Sequence, residues 1–197
     1  MIQRTSSALS LTILALLFGA CAAIEDHGEA SSSAATSADG FTEQDRLRGS
    51  VTPEREWWDV QHYGLSLSVM PEDKRIEGSN VITFRTLKSG SRMQVDLQPP
   101  LAISRVLHGG EELSFERNGN VYWVDFEAPL AAGVEDAIEV FYGGKPVESM
   151  RPPWSGGFTW GRDSKGDHFI ATTCQGDGAS LWWPNKDHGY DEPDRGI

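Results

Sequence analysis

The stretch Tyr63-Gly64-Leu65-Ser66-Leu67-Ser68-Val69 decides the fold class. Large apolar residues alternate with Gly and Ser, a period of two that puts every second side chain on one face of an extended chain. A helix would need apolar residues three and four apart, and no stretch sustains that pattern. Met70-Pro71-Glu72-Asp73-Lys74 reads as a turn, and Arg75 to Leu87, with Val81 and Ile82 near its centre, as a returning strand. The two together predict a long hairpin.

Outward from this hairpin the same signal repeats. Strands are predicted at Met93 to Leu97 and Ile103 to His108, then, after Gly109-Gly110, at Glu112 to Phe115. Asn118-Gly119 predicts a tight turn of type I′, since both residues tolerate positive φ. Val121 to Phe126 and Ala137 to Tyr142 follow, the latter ended by Gly143-Gly144 and Pro146. The segment Pro152 to Trp160 reads as an aromatic loop, and His168 to Thr172 as one more strand. The fold class expected is all-β, mostly antiparallel, a sandwich or a curved, saddle-like sheet.

The chain has 197 residues, enough for one domain with a tail, and seven Trp, eight Phe and four Tyr supply a core. Its formal charge of −12 argues against a nucleic-acid partner, which would require a basic face. Residues 1–20 read as a signal peptide. Arg4 makes a positive start, Ala8 to Phe18 a short apolar run, and Gly19-Ala20 precede Cys21. The run is shorter than the roughly 20 residues of a spanning helix. Phe18-Gly19-Ala20-Cys21 resembles a bacterial lipobox with Phe in place of the usual Leu, which makes Cys21 the expected lipidation site and the membrane a partner through that anchor. Cleavage at Ala20-Cys21-Ala22, releasing a periplasmic or secreted protein, is the alternative. Residues 21–50, with Ser31-Ser32-Ser33-Ala34-Ala35-Thr36-Ser37-Ala38, read as a disordered tether. Residues 51–197 read as the folded β domain.

The chemistry-bearing residues gather late. Asp187, His188, Asp191, Glu192 and Asp194 invite a metal reading, but no two histidines share a ligand spacing, and a polar loop is the simpler account. None of the five histidines lies in H-E-x-x-H, and the chain has no G-x-S-x-G, phosphate loop or G-x-G-x-x-G. No catalytic residue and no metal ligand is assigned. Cys174 reads as a small core residue.

Pro153-Trp154-Ser155-Gly156-Gly157-Phe158, Cys174-Gln175-Gly176, and Trp182-Trp183-Pro184-Asn185-Lys186-Asp187-His188 through Asp191-Glu192-Pro193-Asp194 together resemble the N-terminal domain of the aminopeptidase N family of zinc metallopeptidases. The resemblance runs from about Trp57 to the end and is most specific over the final thirty residues. It implies a saddle-shaped β domain packed on a catalytic domain that carries zinc on H-E-x-x-H and a distant Glu, motifs this sequence lacks. It also implies further strands after Asp194, so the β domain is expected to be incomplete. Gln175 matches a family position whose Gln or Glu holds the N-terminal amine of the peptide substrate. The alternative for Gln175 is a cap or turn contact. Asp187, His188, Asp191 and Glu192 are expected to be structural. Two other readings stand beside this one. The first is a stand-alone lipoprotein module binding a peptide, glycan or protein through its Trp-rich end. The second is a sandwich domain of a sugar-active enzyme, for which no carboxylate pair is evident.

Overall fold

A computed structural model describes residues 40–197. The signal peptide, Cys21 and the Ser/Ala-rich run before residue 40 lie outside the described residues.

The hairpin forms as its alternation requires. Strand β1 (Trp58–Met70) pairs antiparallel with β2 (Arg75–Thr86), in register from Met70 opposite Arg75 to Trp58 opposite Thr86, with a bulge between Val60 and His62. The intervening turn is closed by Lys74 at φ 50°. The chain continues through β3 (Gly90–Asp96), β4 (Ala102–His108), β5 (Glu111–Glu112), β6 (Ser114–Asn118), β7 (Val121–Leu130), β8 (Glu135–Gly144), β9 (Gly157–Arg162) and β10 (His168–Thr173). Three sheets result, ordered β1-β2-β8-β4-β5, β3-β7-β6 and β10-β9, and the strand pairs within them are antiparallel.

The core lies between the two larger sheets. Ile82 and Phe84 of β2 and Ile138 and Val140 of β8 are fully buried, as are Met93 and Val95 of β3 and Val124 of β7. Trp57 closes one end edge-on to both Phe84 and Phe126, with ring centroids 5.9 Å from each. Such perpendicular contacts set the positive edge of one ring against the negative face of another. Gly90 is required beneath Trp57, because a Cβ there would lie 2.3 Å from the indole.

Four sequence expectations are corrected. The strand expected over Glu112 to Phe115 is two strands in different sheets. Leu113 is buried between them, its N–H bonded to Val106, and this inward residue carries the chain from one sheet to the other. The turn at Asn118-Gly119 is centred one residue later. Asn118 pairs with Val121, and Gly119 (φ 60°) is the only central residue with positive φ, as in a type II′ turn. The aromatic loop from Pro152 contains β9, whose partner β10 supplies the hydrogen bonds. Finally, the tether does not extend to Ser50. Helix α1 (Glu43–Gly49) starts with a capping box between Thr42 and Asp45. Its last carbonyls are received by Arg55 of the short helix α2 (Pro53–Glu56), which donates to Leu47 at 2.6 Å and Ser50 at 2.9 Å. A charged donor at a helix C-terminus satisfies carbonyls that have no partner within the helix.

Candidate functional site

Gln175 sits at the start of a tight turn just past the end of β10. Glycines at 176 and 178 take φ of 78° and 84°, which lets the chain reverse within four residues. The carbonyl of Cys174 accepts from both Asp177 N–H (3.1 Å) and Gly178 N–H (2.9 Å), so the backbone closes the turn without help from Gln175.

Neighbouring elements brace this turn from several sides. Arg48 of α1 donates to the Gly176 carbonyl at 2.6 Å. Gln98 donates to the Asp177 carbonyl at 2.6 Å, and the Asp177 carboxylate accepts Gly156 N–H at 2.9 Å. Beyond Gly178, a 3-10 turn over Ala179–Leu181 is held by Asp187, whose Oδ2 accepts both the hydroxyl (2.6 Å) and the N–H (3.2 Å) of Ser180. Against this bracing the Gln175 side chain is exposed and has no hydrogen-bond partner among the described residues. A fixed backbone thus presents a free amide. Cys174 beside it is half-buried, and burial pushes its thiol pKa up, which disfavours the thiolate.

The final polar segment is fastened into the sandwich by buried charges. Asp96, at the end of β3, pairs with Asn185 through two backbone bonds and receives Asp187 N–H on its carboxylate at 2.9 Å. Arg55 and Gln94 donate to the same carboxylate at 2.6 and 2.8 Å. Lys186 is buried, paired with Asp191 and donating to the Trp58 carbonyl, and its ammonium lies 4.3 Å from the Trp58 ring centre. Burial lowers its pKa, with Asp191 acting in the opposite direction. Tyr63 accepts Lys186 N–H at 3.0 Å, and its ring meets Trp183 edge-on at 4.7 Å. Asp59 is raised by burial first and by Asp191 and Asp194 next, while Gln61 donates to Asp59 and Asp194.

Asp187 and Asp191 are therefore structural. His188 accepts Tyr190 N–H at 3.3 Å and packs on its ring. Among the described residues no three His, Cys, Asp or Glu converge as a metal-ligand set. Arg55, Asp96 and Gln94 were not singled out from sequence. The hint available there was three polar residues at positions whose apolar neighbours belong to a core.

Compared by sequence, the chain matches no family model and no curated protein. Compared by structure, it superposes on an M1 zinc metallopeptidase from Deinococcus radiodurans bound to Tyr-Ser-Ala, with TM-score 0.57 and 22% identity over 74% of this chain and 33% of the other. Its fold is that of the N-terminal domain of the M1 zinc metallopeptidases. A two-domain M1 zinc metallopeptidase bound to L-tryptophan gives TM-score 0.57 and 23% identity, over 74% and 33%. Native yeast leukotriene A4 hydrolase gives 0.54 and 17%, over 74% and 24%. The chain thus spans a third or less of the length of these M1 proteins. The match bears out the mostly antiparallel β fold.

Proposed function

We infer that this domain is the substrate-recognition half of an exported peptidase that acts from the free N-terminus of peptides. It packs beside a catalytic domain that supplies the hydrolytic chemistry, including any zinc. Gln175 accepts hydrogen bonds from the substrate's N-terminal ammonium through Oε1, a neutral acceptor suited to a cationic donor. The observation that carries this reading is the free amide of Gln175 on a turn braced by Arg48, Gln98, Asp177 and Asp187. Bracing matters because a group fixed before the substrate arrives loses little entropy on binding it. Export and a lipid anchor at Cys21 belong to the same reading, which rests there on residues 1–21.

In a polypeptide joining this domain to its catalytic partner, Gln175→Ala removes one hydrogen bond to a charged group, worth about 1.5–3 kcal/mol. The expected loss in kcat/KM on aminoacyl substrates is about 10- to 150-fold. An unchanged kcat/KM would remove Gln175 from the site.

A further inference from the structure

Helix α1 reaches two separate turns with two of its side chains. Gln44 grips the turn between β6 and β7. Its Oε1 accepts Asn120 N–H at 2.9 Å, and its Nε2 donates to the Asn118 carbonyl at 3.2 Å and to Asn118 Oδ1 at 3.1 Å. The fit is close, since a Cβ on Gly119 would lie 2.4 Å from the Gln44 amide. Arg48 donates to the Gly176 carbonyl at 2.6 Å, on the residue after Gln175. Gln44 and Arg48 are four positions apart, so they stand one helical turn from each other on the same face. That face borders a cavity of about 10 Å³, hardly room for one water. Gln98, Ser180 and Asp187, which hold the rest of the Gln175 turn, line the same cavity.

The helix between these two contacts is itself fixed. A capping box ties its start, and the Leu47 carbonyl near its end accepts from Arg55 at 2.6 Å and from the buried Gln94 at 3.1 Å. Seven residues are too few for a helix to persist alone in water, so these contacts decide where it sits. Gln98 reaches the carbonyl of Asp177, whereas Arg48 reaches the one nearer Gln175.

We propose that α1 is a strut of the recognition site, with Arg48 and Gln44 as positioning residues for Gln175. Gln44 holds the helix against the three-stranded sheet, and Arg48 passes that constraint to the residue beside Gln175. Gln44 makes no hydrogen bond to the Gln175 turn, yet through α1 it tunes how tightly a free amine is held. The function of the strut rests on the amine-binding reading of Gln175, whereas its mechanics do not.

Two measurements on Arg48→Met and Gln44→Ala test this. The first is hydrogen exchange on the 197-residue chain at Asp177 and Gly178, whose N–H groups close the turn on the Cys174 carbonyl. Both variants are expected to quicken it at least about fivefold while core amides such as Val140 hold their rates. Unchanged exchange in either variant, or equal quickening throughout the core, overturns the strut and leaves the reading of Gln175 intact. The second is kinetics in the polypeptide that includes the catalytic partner. Each variant is expected to lower kcat/KM on a peptide with a free N-terminus at least about threefold, mostly through KM. In a Gln175→Ala background the same substitutions are expected to cost nothing further. A loss that persists there is a general loosening of the domain and overturns the positioning role, as does no loss with Gln175 present. If Gln175→Ala alone is silent, the amine reading fails and the role of α1 in recognition falls with it, whatever the exchange shows.

Discussion

Arg55 Nη2 donates to Asp96 Oδ2 at 2.6 Å, with the arginine side chain fully buried and the aspartate side chain 6% exposed. The pair joins three parts of the molecule. Arg55 closes the C-terminus of α1, Asp96 ends β3, and the same carboxylate holds Asp187 of the final segment.

Removing one partner leaves a buried charge without compensation. Arg55→Met and Asp96→Leu should each cost about 3–5 kcal/mol in urea unfolding, and the double variant less than the sum of the two. Additive losses would show that the residues do not act as a pair.

Gly178 stands where the Gln175 turn meets the final segment. It has φ 84°, and a Cβ there would lie 2.1 Å from the Asp187 carboxylate. Gly178→Ala is therefore expected to destabilise by about 2 kcal/mol or more, combining backbone strain with displacement of the Ser180 contact. Gly189→Ala meets no atom within 4 Å and serves as the comparison, with a change within about 0.5 kcal/mol. Equal effects in equilibrium unfolding would refute the close approach.

Tyr142 is 3% exposed, and its hydroxyl has no hydrogen-bond partner among the described residues. Tyr142→Phe should be neutral or stabilising by up to about 1 kcal/mol at neutral pH, since an unpaired buried hydroxyl carries a desolvation cost. Alkaline titration gives a second readout. Burial raises Tyr63 and Tyr142 above their ordinary value of 10.0. The folded state then holds protons that the unfolded state releases, so their contribution is present below pH 10 and lost as pH rises past it. Stability should fall above that pH, and less steeply in Tyr142→Phe. Tyrosinate absorbance appearing well before loss of β-sheet circular dichroism would contradict the shared burial.

The sheet was legible where one face is buried and the other wet. Leu65 and Leu67 alternate with serines, and that pattern alone separates strand from helix. It was not legible at Leu113, because a crossing between sheets preserves the local alternation on both sides and only tertiary pairing shows the break. Helix α1 escaped notice because its residues are all at least partly exposed, so it has no apolar stripe, and what holds it are side-chain bonds from Gln44 and Arg55 to distant parts of the chain. Gln175 could be nominated only through a resemblance. That its amide is free depends on backbone bonds within the turn, which composition does not encode. The ion pair of Arg55 with Asp96 spans forty-one positions, and no local signal links the two.

The central claim is that Gln175 reads a free amine. The most direct measurement compares wild type with Gln175→Ala, in the polypeptide that includes the catalytic domain, on one peptide offered with a free and with an acetylated N-terminus. Acetylation removes the positive charge that Gln175 is argued to meet. The account predicts at least a tenfold loss of kcat/KM on the free peptide and no further loss on the acetylated one, with domain stability unchanged within about 0.5 kcal/mol. An equal loss on both peptides, or none on either, would contradict it.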